Sequence, residues 1–346
     1  MASVDNITIY DIAHEAGVSP ATVSRVLTKK ARVSDRKRIA VEALIQKYKF
    51  QPNVQARSLS DMHTRALGLM VADICNPYYA TLVVECEKAA NKRGYTILLC
   101  NILNNKELEN ANLEKLYAQR VDAIIQMGCR TDDLVSDPDY VTRVGRISQK
   151  IPFITTGKLD GINCYCLNIN QAEAMRLAFE YLVAYGHREI ALIGGEKRDR
   201  SSYQRWQQYL YLMDINHLPF REEYVQEGGF SVDDGYDCLQ RLLHSSRLLP
   251  TAVIARNDYC AVGALRAAHE HGISIPGDLS LISFDNTFLS EIVTPRLTSI
   301  DYNYAAFGSA LVDRAISLAE TGNAPKNSLI PPLLIVRDSC APAIRA

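Results

Sequence analysis

Five residues combine useful side-chain chemistry with a telling position: Tyr78, Tyr79, Arg205, Asn257 and Asp285. Each follows an apolar, strand-like run or sits on the helical stretch that such a run feeds. In an open α/β sheet, ligands bind beyond the carboxyl ends of the strands. Adjacent tyrosines stack on a sugar face or a base and donate hydroxyl hydrogen bonds. The arginine fork holds two oxygens at once. Asparagine offers a donor and an acceptor, and an ionised aspartate accepts from two hydroxyls. This is chemistry for holding a polar ring. Each residue also has a plain structural reading: the tyrosines as core at a helix start, Arg205 as solvated surface, and Asn257 and Asp285 as caps.

Bond-breaking chemistry finds little support. A dinucleotide enzyme needs G-x-G-x-x-G after its first strand, where this chain reads ADICNPYYA. Gly194-Gly195 follows a later strand, but GGEKRD lacks the third glycine. There is no P-loop and no G-x-S-x-G elbow. The seven histidines have no metal-ligand spacing, and His269 and His271 fall on different helix faces. Cys164-Tyr165-Cys166 is the one close cysteine pair, with a single intervening residue where zinc sites use two to four. No catalytic residue, metal or cofactor is expected.

The chain has 346 residues, 47% of them apolar, enough for a small head and one or two larger domains. Its formal charge of −1 is unevenly spread. Residues 1–60 carry +5 and the remainder −6, so a basic head precedes an acidic body. That suits a polyanion at one end only. An odd count of nine scattered cysteines suggests a reducing compartment. No stretch approaches the ~18 apolar residues of a membrane span. The N-terminal residues show no signal-peptide pattern. A cytoplasmic protein is expected.

Two elements must position the rest. The first is the stretch TIYDIAHEAGVSPATVSRVL, residues 8–27. Thr8 is a plausible N-cap, and Ile9, Ile12, Ala13 and Ala16 form one apolar helical face. Gly17 stops that helix, Ser19 caps the next, and Pro20 suits its first position. Val23, Val26 and Leu27 point inward, while Ala21, Ser24 and Arg25 share the other face. Two short helices at a small-residue corner form a helix-turn-helix pattern, whose second helix enters a DNA major groove. An ordinary helical hairpin is the alternative. Ser34 begins a third helix, and Pro52 breaks it before a stretch, 53–60, too short to be stably helical alone.

The second element is the body. Strand-like runs at 66–72, 95–100, 121–127, 151–155, 190–194, 252–255 and 279–284 alternate with helical stretches at 78–93, 108–120, 140–149, 170–185, 201–214, 234–243 and 261–270. This alternation predicts parallel sheets covered on both faces.

The string IYDIAHEAGVSPATVSRVL, a third helix, and then PNVQARSL resemble the lactose-repressor/galactose-repressor family of bacterial transcription regulators. The resemblance continues through TAVIARNDYCAVGALRAAHEHGISIPGDLSLISFDN to the closing VRDSCAPAIRA. It implies an α/β protein with a small all-α helix-turn-helix head and a two-lobed core like a periplasmic binding protein. Each lobe would be a doubly wound parallel sheet. The expected divisions are a head at 1–50, a hinge helix and linker at 51–64, and a core at 65–346. Within the core the first lobe would take 65–165 and 296–327, the second 166–295 and 328–346. The chain would cross between lobes near Cys166, near 293–295 and near Asn327.

The resemblance also implies roles. Thr8, Ser19, Pro20, Ala21, Thr22, Ser24 and Arg25 would serve the operator in the head, and Asn53, Ala56 and Leu59 in the hinge. Leu59 would wedge into the minor groove at the centre of a palindrome. Tyr78, Tyr79, Arg205, Phe230, Asn257 and Asp285 would line an effector cleft, with Phe230 as a stacking aromatic. Two departures stand out: no glycine follows in Arg205-Trp206-Gln207-Gln208-Tyr209, and Ser283 replaces a usual glycine. No leucine heptads follow the closing strand, so a homodimer is expected. The expected function is a repressor whose affinity for palindromic operator DNA is set by a small molecule, a sugar or sugar derivative. A nucleobase or nucleoside is the alternative effector. A binding protein whose helical head does not bind DNA is the alternative class.

Overall fold

The computed structural model describes residues 7–28, 33–50, 64–162, 164–246 and 248–343. They fall into two compact units, Met1–Thr64 and Arg65–Ala346.

The head unit contains three helices: α1 (Ile9–Glu15), α2 (Pro20–Thr28) and α3 (Asp35–Lys47). Thr8 and Asp11 form a reciprocal capping box. The Asp11 N–H donates to Thr8 Oγ1, and the Thr8 N–H donates to Asp11 Oδ2 at 2.8 Å. Two orphan amides at the helix start are thereby satisfied. Gly17 turns the corner at φ +62°, and the Thr22 N–H donates to Ser19 Oγ at 3.3 Å. Ser34 sits at the start of α3 but makes no side-chain cap bond. Ile12, Ala13, Val23, Val26 and Val41 are buried together, so all three helices share one small core. Glu15 ties α1 to α3, accepting from Lys47 Nζ and Tyr48 Oη at 2.7 Å each.

The larger unit is built on two six-stranded sheets. The first is ordered β11-β5-β4-β3-β1-β2, from Asn327–Ile330, Tyr165–Ile169, Phe153–Thr155, Ala123–Met127, Ala66–Val71 and Thr96–Asn101. The second is ordered β12-β10-β9-β8-β6-β7, from Leu333–Ile335, Thr298–Asp301, Ser280–Asp285, Ala252–Ala255, Ile190–Ile193 and Val225–Gln226. Every pairing is parallel except β10 with β12. The central strands are fully buried and, Gln126 of β3 apart, apolar on both faces, as sheets covered by helices on both sides require.

The lobe boundaries differ from the sequence expectation. Residues 165–169 and 327–330 pair with each other inside the first sheet. Thr298–Asp301, expected in the first lobe, pairs with β9 of the second instead. The proline at 295 marks a turn within that lobe, where the Leu297 N–H bonds back to the Ser290 carbonyl at 2.8 Å. The chain therefore crosses after Ile169, after Asp301 and after Ile330. The helix Tyr304–Thr321 does return to the first lobe and packs on Pro77–Lys92.

Helix contact in the second lobe is set by missing side chains. Val232–Ser245 and Asp258–Glu270 pack tightly together, with Gly235 and Gly263 at the crossing. A Cβ on Gly263 would lie 1.9 Å from the Val232 carbonyl oxygen, and one on Gly235 2.1 Å from that of Cys260. Backbone cannot yield as a side-chain tip does. Gly263→Val is therefore expected to force the helices apart and cost about 1–3 kcal/mol. A lowered urea midpoint of the larger unit would register it, and an unchanged midpoint would contradict the packing argument.

Candidate functional site

A cavity of about 1030 Å³ lies between the two sheets, and all six cleft residues expected from the sequence line it: Tyr78, Tyr79, Arg205, Phe230, Asn257 and Asp285. Asn76 caps the helix that carries the tyrosines, accepting from the Tyr78 N–H at 3.0 Å. Tyr78 packs edge-on against Tyr79, with ring centroids 4.8 Å apart, and against Tyr302 at 5.9 Å. Both belong to an aromatic cluster that joins Tyr302 and Tyr304.

Arg205 is 3% exposed. Its Nε donates to Gln171 Oε1 at 2.6 Å, its Nη1 to the Arg256 carbonyl at 2.8 Å, and its Nη2 to the Tyr302 hydroxyl. The guanidinium lies flat over Phe284, 3.9 Å from the ring centroid. Burial, reinforced by the positive Arg256, pulls its pKa down to about 10, so it stays charged at neutral pH. The missing glycine after Arg205 does not displace it. Gln208 stands at the glycine's place, and the aromatic beside it, Tyr209, is buried in the core with its hydroxyl donating to the Ile190 carbonyl at 2.8 Å.

Asp285 ends β9 in a left-handed conformation, φ +92°. Burial raises its pKa, opposed by Arg256 and Arg205. Asn257 largely meets its structural reading. Its Oδ1 caps the helix at Cys260, and its Nδ2 donates to the Phe230 carbonyl at 3.1 Å. Phe230 is 36% exposed on the cavity wall.

Four further residues were missed. Arg256 stands over the Phe230 ring, 5.1 Å from its centroid. It is held by Ser202 Oγ at 2.8 Å, Ser201 Oγ at 2.6 Å and Asp199 Oδ1 at 3.5 Å. It directly follows β8, so the strand-end rule that found Asn257 also covers it. Asp199 is an N-cap, a role that leaves no distinct signal in sequence. Tyr302 follows β10, a strand placed in the wrong lobe by sequence reasoning. Asp132 follows β3 across a short polar turn. Burial and the neighbouring Asp199 charge push its carboxyl up to about 8.

Ser283 has a use that a glycine could not serve. Its hydroxyl donates to Asp258 Oδ1 at 2.5 Å, alongside Ser299 at 3.0 Å. The Thr287 amide and hydroxyl hold the other carboxylate oxygen.

In the head, Ala21 and Arg25 are exposed on α2, Ser24 is half-buried, and Pro20 opens the helix. Thr8, Ser19 and Thr22 are engaged in capping contacts. Asn53, Ala56 and Leu59 lie outside the described residues. Among the described residues no group of His, Cys, Asp and Glu is arranged to hold a metal, and no helix is long and apolar enough to cross a membrane.

A helix-turn-helix unit joined in one chain to a two-lobed, cleft-bearing core defines a ligand-controlled DNA-binding regulator. Residues 8–53 match the family described as bacterial regulatory proteins, lacI family, and residues 179–340 match a periplasmic binding protein-like domain. The HTH-type transcriptional repressor PurR of Yersinia pestis (strain Pestoides F) is 32% identical over 340 residues, covering 96% of this chain and 97% of that protein. The same holds for its counterpart in Yersinia pseudotuberculosis serotype O:1b. Among solved structures, the lac repressor dimer bound to operator and the anti-inducer ONPF superposes with a TM-score of 0.86 at 26% identity, covering 97% of this chain and all of that one. The lac repressor bound to ONPG gives 0.83 at 27% identity, with 97% and 100% coverage. The chain belongs to the lacI family of bacterial regulatory proteins. It is a DNA-binding transcriptional repressor with a small-molecule effector, not an enzyme.

Burial, joined by the nearby Asp285 charge, pushes the Asp258 carboxyl up to about 7 from an ordinary 3.8, against its incoming hydrogen bonds. As pH rises between these values the unfolded chain gives up that proton while the folded chain keeps it. The stabilisation is complete below about 4 and lost above about 7. Asp258→Asn is expected to flatten the decline of Tm between pH 5 and pH 8. An equally steep decline in the variant would contradict the assignment.

Proposed function

We propose that the cleft binds an uncharged, hydroxyl-rich ring, a sugar or sugar derivative, and that its occupancy sets operator affinity. The observation that carries this reading is the charge balance of the cleft wall. The cavity lining holds six basic and seven acidic side chains, Arg205 and Arg256 standing with Asp199 and Asp285, and Asp132, its carboxyl pushed up to about 8, is protonated at neutral pH. Fixed donors and acceptors without a net charge suit vicinal hydroxyls better than an anion or a cation. Asp285 accepts from hydroxyls, the arginines donate to ring and hydroxyl oxygens, and Tyr78 and Phe230 supply apolar surface. A nucleobase is the second reading. It is favoured by the 32% identity to proteins named PurR and by the half-exposed Phe230 face. A thermal-shift screen of the full chain against sugars and nucleobases separates the two, since a ligand of the native state raises apparent stability.

Arg205→Ala and Asp285→Ala are each expected to lose about 1.5–3 kcal/mol of effector affinity, the worth of a hydrogen bond to a charged group. Operator binding without effector should persist in both. Calorimetry showing undiminished affinity in both variants would refute the site.

On the DNA side, a homodimer presents two heads to a palindrome. Arg25, exposed on α2, reads a base edge in each half-site, and Leu59 serves as the apolar wedge between them. Arg25→Ala should weaken operator binding by roughly 1–3 kcal/mol and relax preference at one base position per half-site. Leu59→Ala should lose operator preference while salt-dependent non-specific binding survives. Selection from random duplexes that enriches no palindrome would overturn this assignment. The nine free cysteines suit a reducing cytoplasm.

A further inference from the structure

The two lobes also touch along the rim of the cleft, through backbone and not only through side chains of the site. Residues 131–134 of the first lobe run antiparallel to residues 198–200 of the second, with Asp133 opposite Asp199. The Leu134 N–H donates to the Arg198 carbonyl and the Arg200 N–H to the Asp132 carbonyl, each at 2.8 Å. Two backbone hydrogen bonds thus join elements that belong to different sheets.

One side chain reinforces them. Arg200 Nη2 lies 2.9 Å from the Leu134 carbonyl, 3.2 Å from that of Asp133 and 3.0 Å from Asp160 Oδ2. All three acceptors belong to the first lobe, while Arg200 opens the helix Arg200–Ile215 of the second.

The first-lobe segment is itself firmly seated. The Lys158 N–H donates to the Thr131 carbonyl at 2.7 Å, and a Cβ on Gly157 would come within 2.0 Å of that oxygen. On its other flank Arg130 is 5% exposed. Its Nε donates to Glu109 at 2.5 Å and its Nη2 to Asn110 at 2.5 Å. This segment is held on both flanks by its own lobe, and the joint across the lobes is a contact that opening has to break, together with the Tyr259 hydroxyl bond to the Cys75 carbonyl. That joint is also imperfect. Arg200 Nε is buried without a hydrogen-bond partner, a cost that opening would relieve.

We propose that Arg200 is a latch that holds the two lobes together before any ligand enters, and that the cleft opens by releasing it. Arg200, Asp132, Asp133, Leu134 and Asp199 all line the cavity, so the joint borders the space a ligand would fill. The latch stands on contacts within the protein alone and does not depend on which molecule fills the cleft.

Hydrogen exchange of the full chain without ligand tests it, because the two latch amides are the reporters. Peptides covering residues 132–136 and 198–202 should be protected in the wild type. In Arg200→Ala they should exchange about tenfold faster, the loss of roughly one net hydrogen bond, while β1 and β8 keep their protection. Asp160→Asn, which removes the carboxylate charge facing both Arg200 and Lys158, should accelerate the same peptides by a smaller factor. It decides the matter should Arg200→Ala fail to fold. Unchanged exchange at both peptides would overturn the latch. Acceleration spread equally over β1 and β8 would overturn it too, since Arg200 would then support the whole unit and not the joint.

Discussion

A guanidinium taken out of water must have every hydrogen bond replaced, and Arg205 imposes that condition on the second lobe. Its partners are Gln171, the carbonyl of Arg256 and the hydroxyl of Tyr302, with Phe284 beneath its plane. These come from a helix and from the carboxyl ends of three neighbouring strands, β8, β9 and β10. Only the observed strand order brings those ends together. Withdrawing any one acceptor leaves a buried cation partly unsolvated, which costs far more than the bond itself contributes. The cleft wall and the sheet order are in this sense one constraint.

The first lobe meets a similar demand differently. Glu109 and Gln126 are wholly buried, and Arg130 nearly so. The Arg130 guanidinium pairs with Glu109 and lies 3.9 Å from the Tyr140 ring centroid, and Gln126 Nε2 donates to Glu109 at 2.5 Å. Burial still raises the Glu109 pKa, against the pull of Arg130. Such a pair contributes little net stability against an apolar replacement. It does fix direction: helix Lys106–Ala118, β3 and helix Pro138–Ser148 can meet in few other ways once these groups are inside.

Much of this was legible in the sequence, for identifiable reasons. Buried parallel strands appear as unbroken apolar runs, so β1, β3, β6, β8 and β9 were placed without a structure. Caps and glycine stops located the head helices, because Thr8 and Gly17 satisfy local rules that need no tertiary context. Tyr165–Ile169 was not recognised, since a short strand interrupted by Asn168 resembles a linker. The lobe membership of Thr298–Asp301 was misread because strand pairing is a long-range choice, and neighbouring residues do not encode it. The site shows the same division. Residues just past strand ends were found by position alone. Arg256 meets the same positional rule, directly after β8, whereas Asp199 shows only as a helix cap, and its pairing with Arg256 is a long-range contact that neither neighbourhood encodes.

The three crossings between lobes bear on how the molecule is made. The first sheet draws its outer strand from residues 327–330, more than a hundred and fifty residues beyond its partner β5. During synthesis, β1 to β5 emerge early and must wait for that strand and for the helix Tyr304–Thr321. Meanwhile the second lobe can pair β6 to β10 from one contiguous stretch. The lobe that begins first is therefore completed nearly last. A frameshift or stop codon before residue 327 would remove an edge strand from each sheet, β11 from the first and β12 from the second. In a genetic screen, late truncations would be expected to damage both lobes at once, since the tail beyond β12 also bonds to β9 and β10.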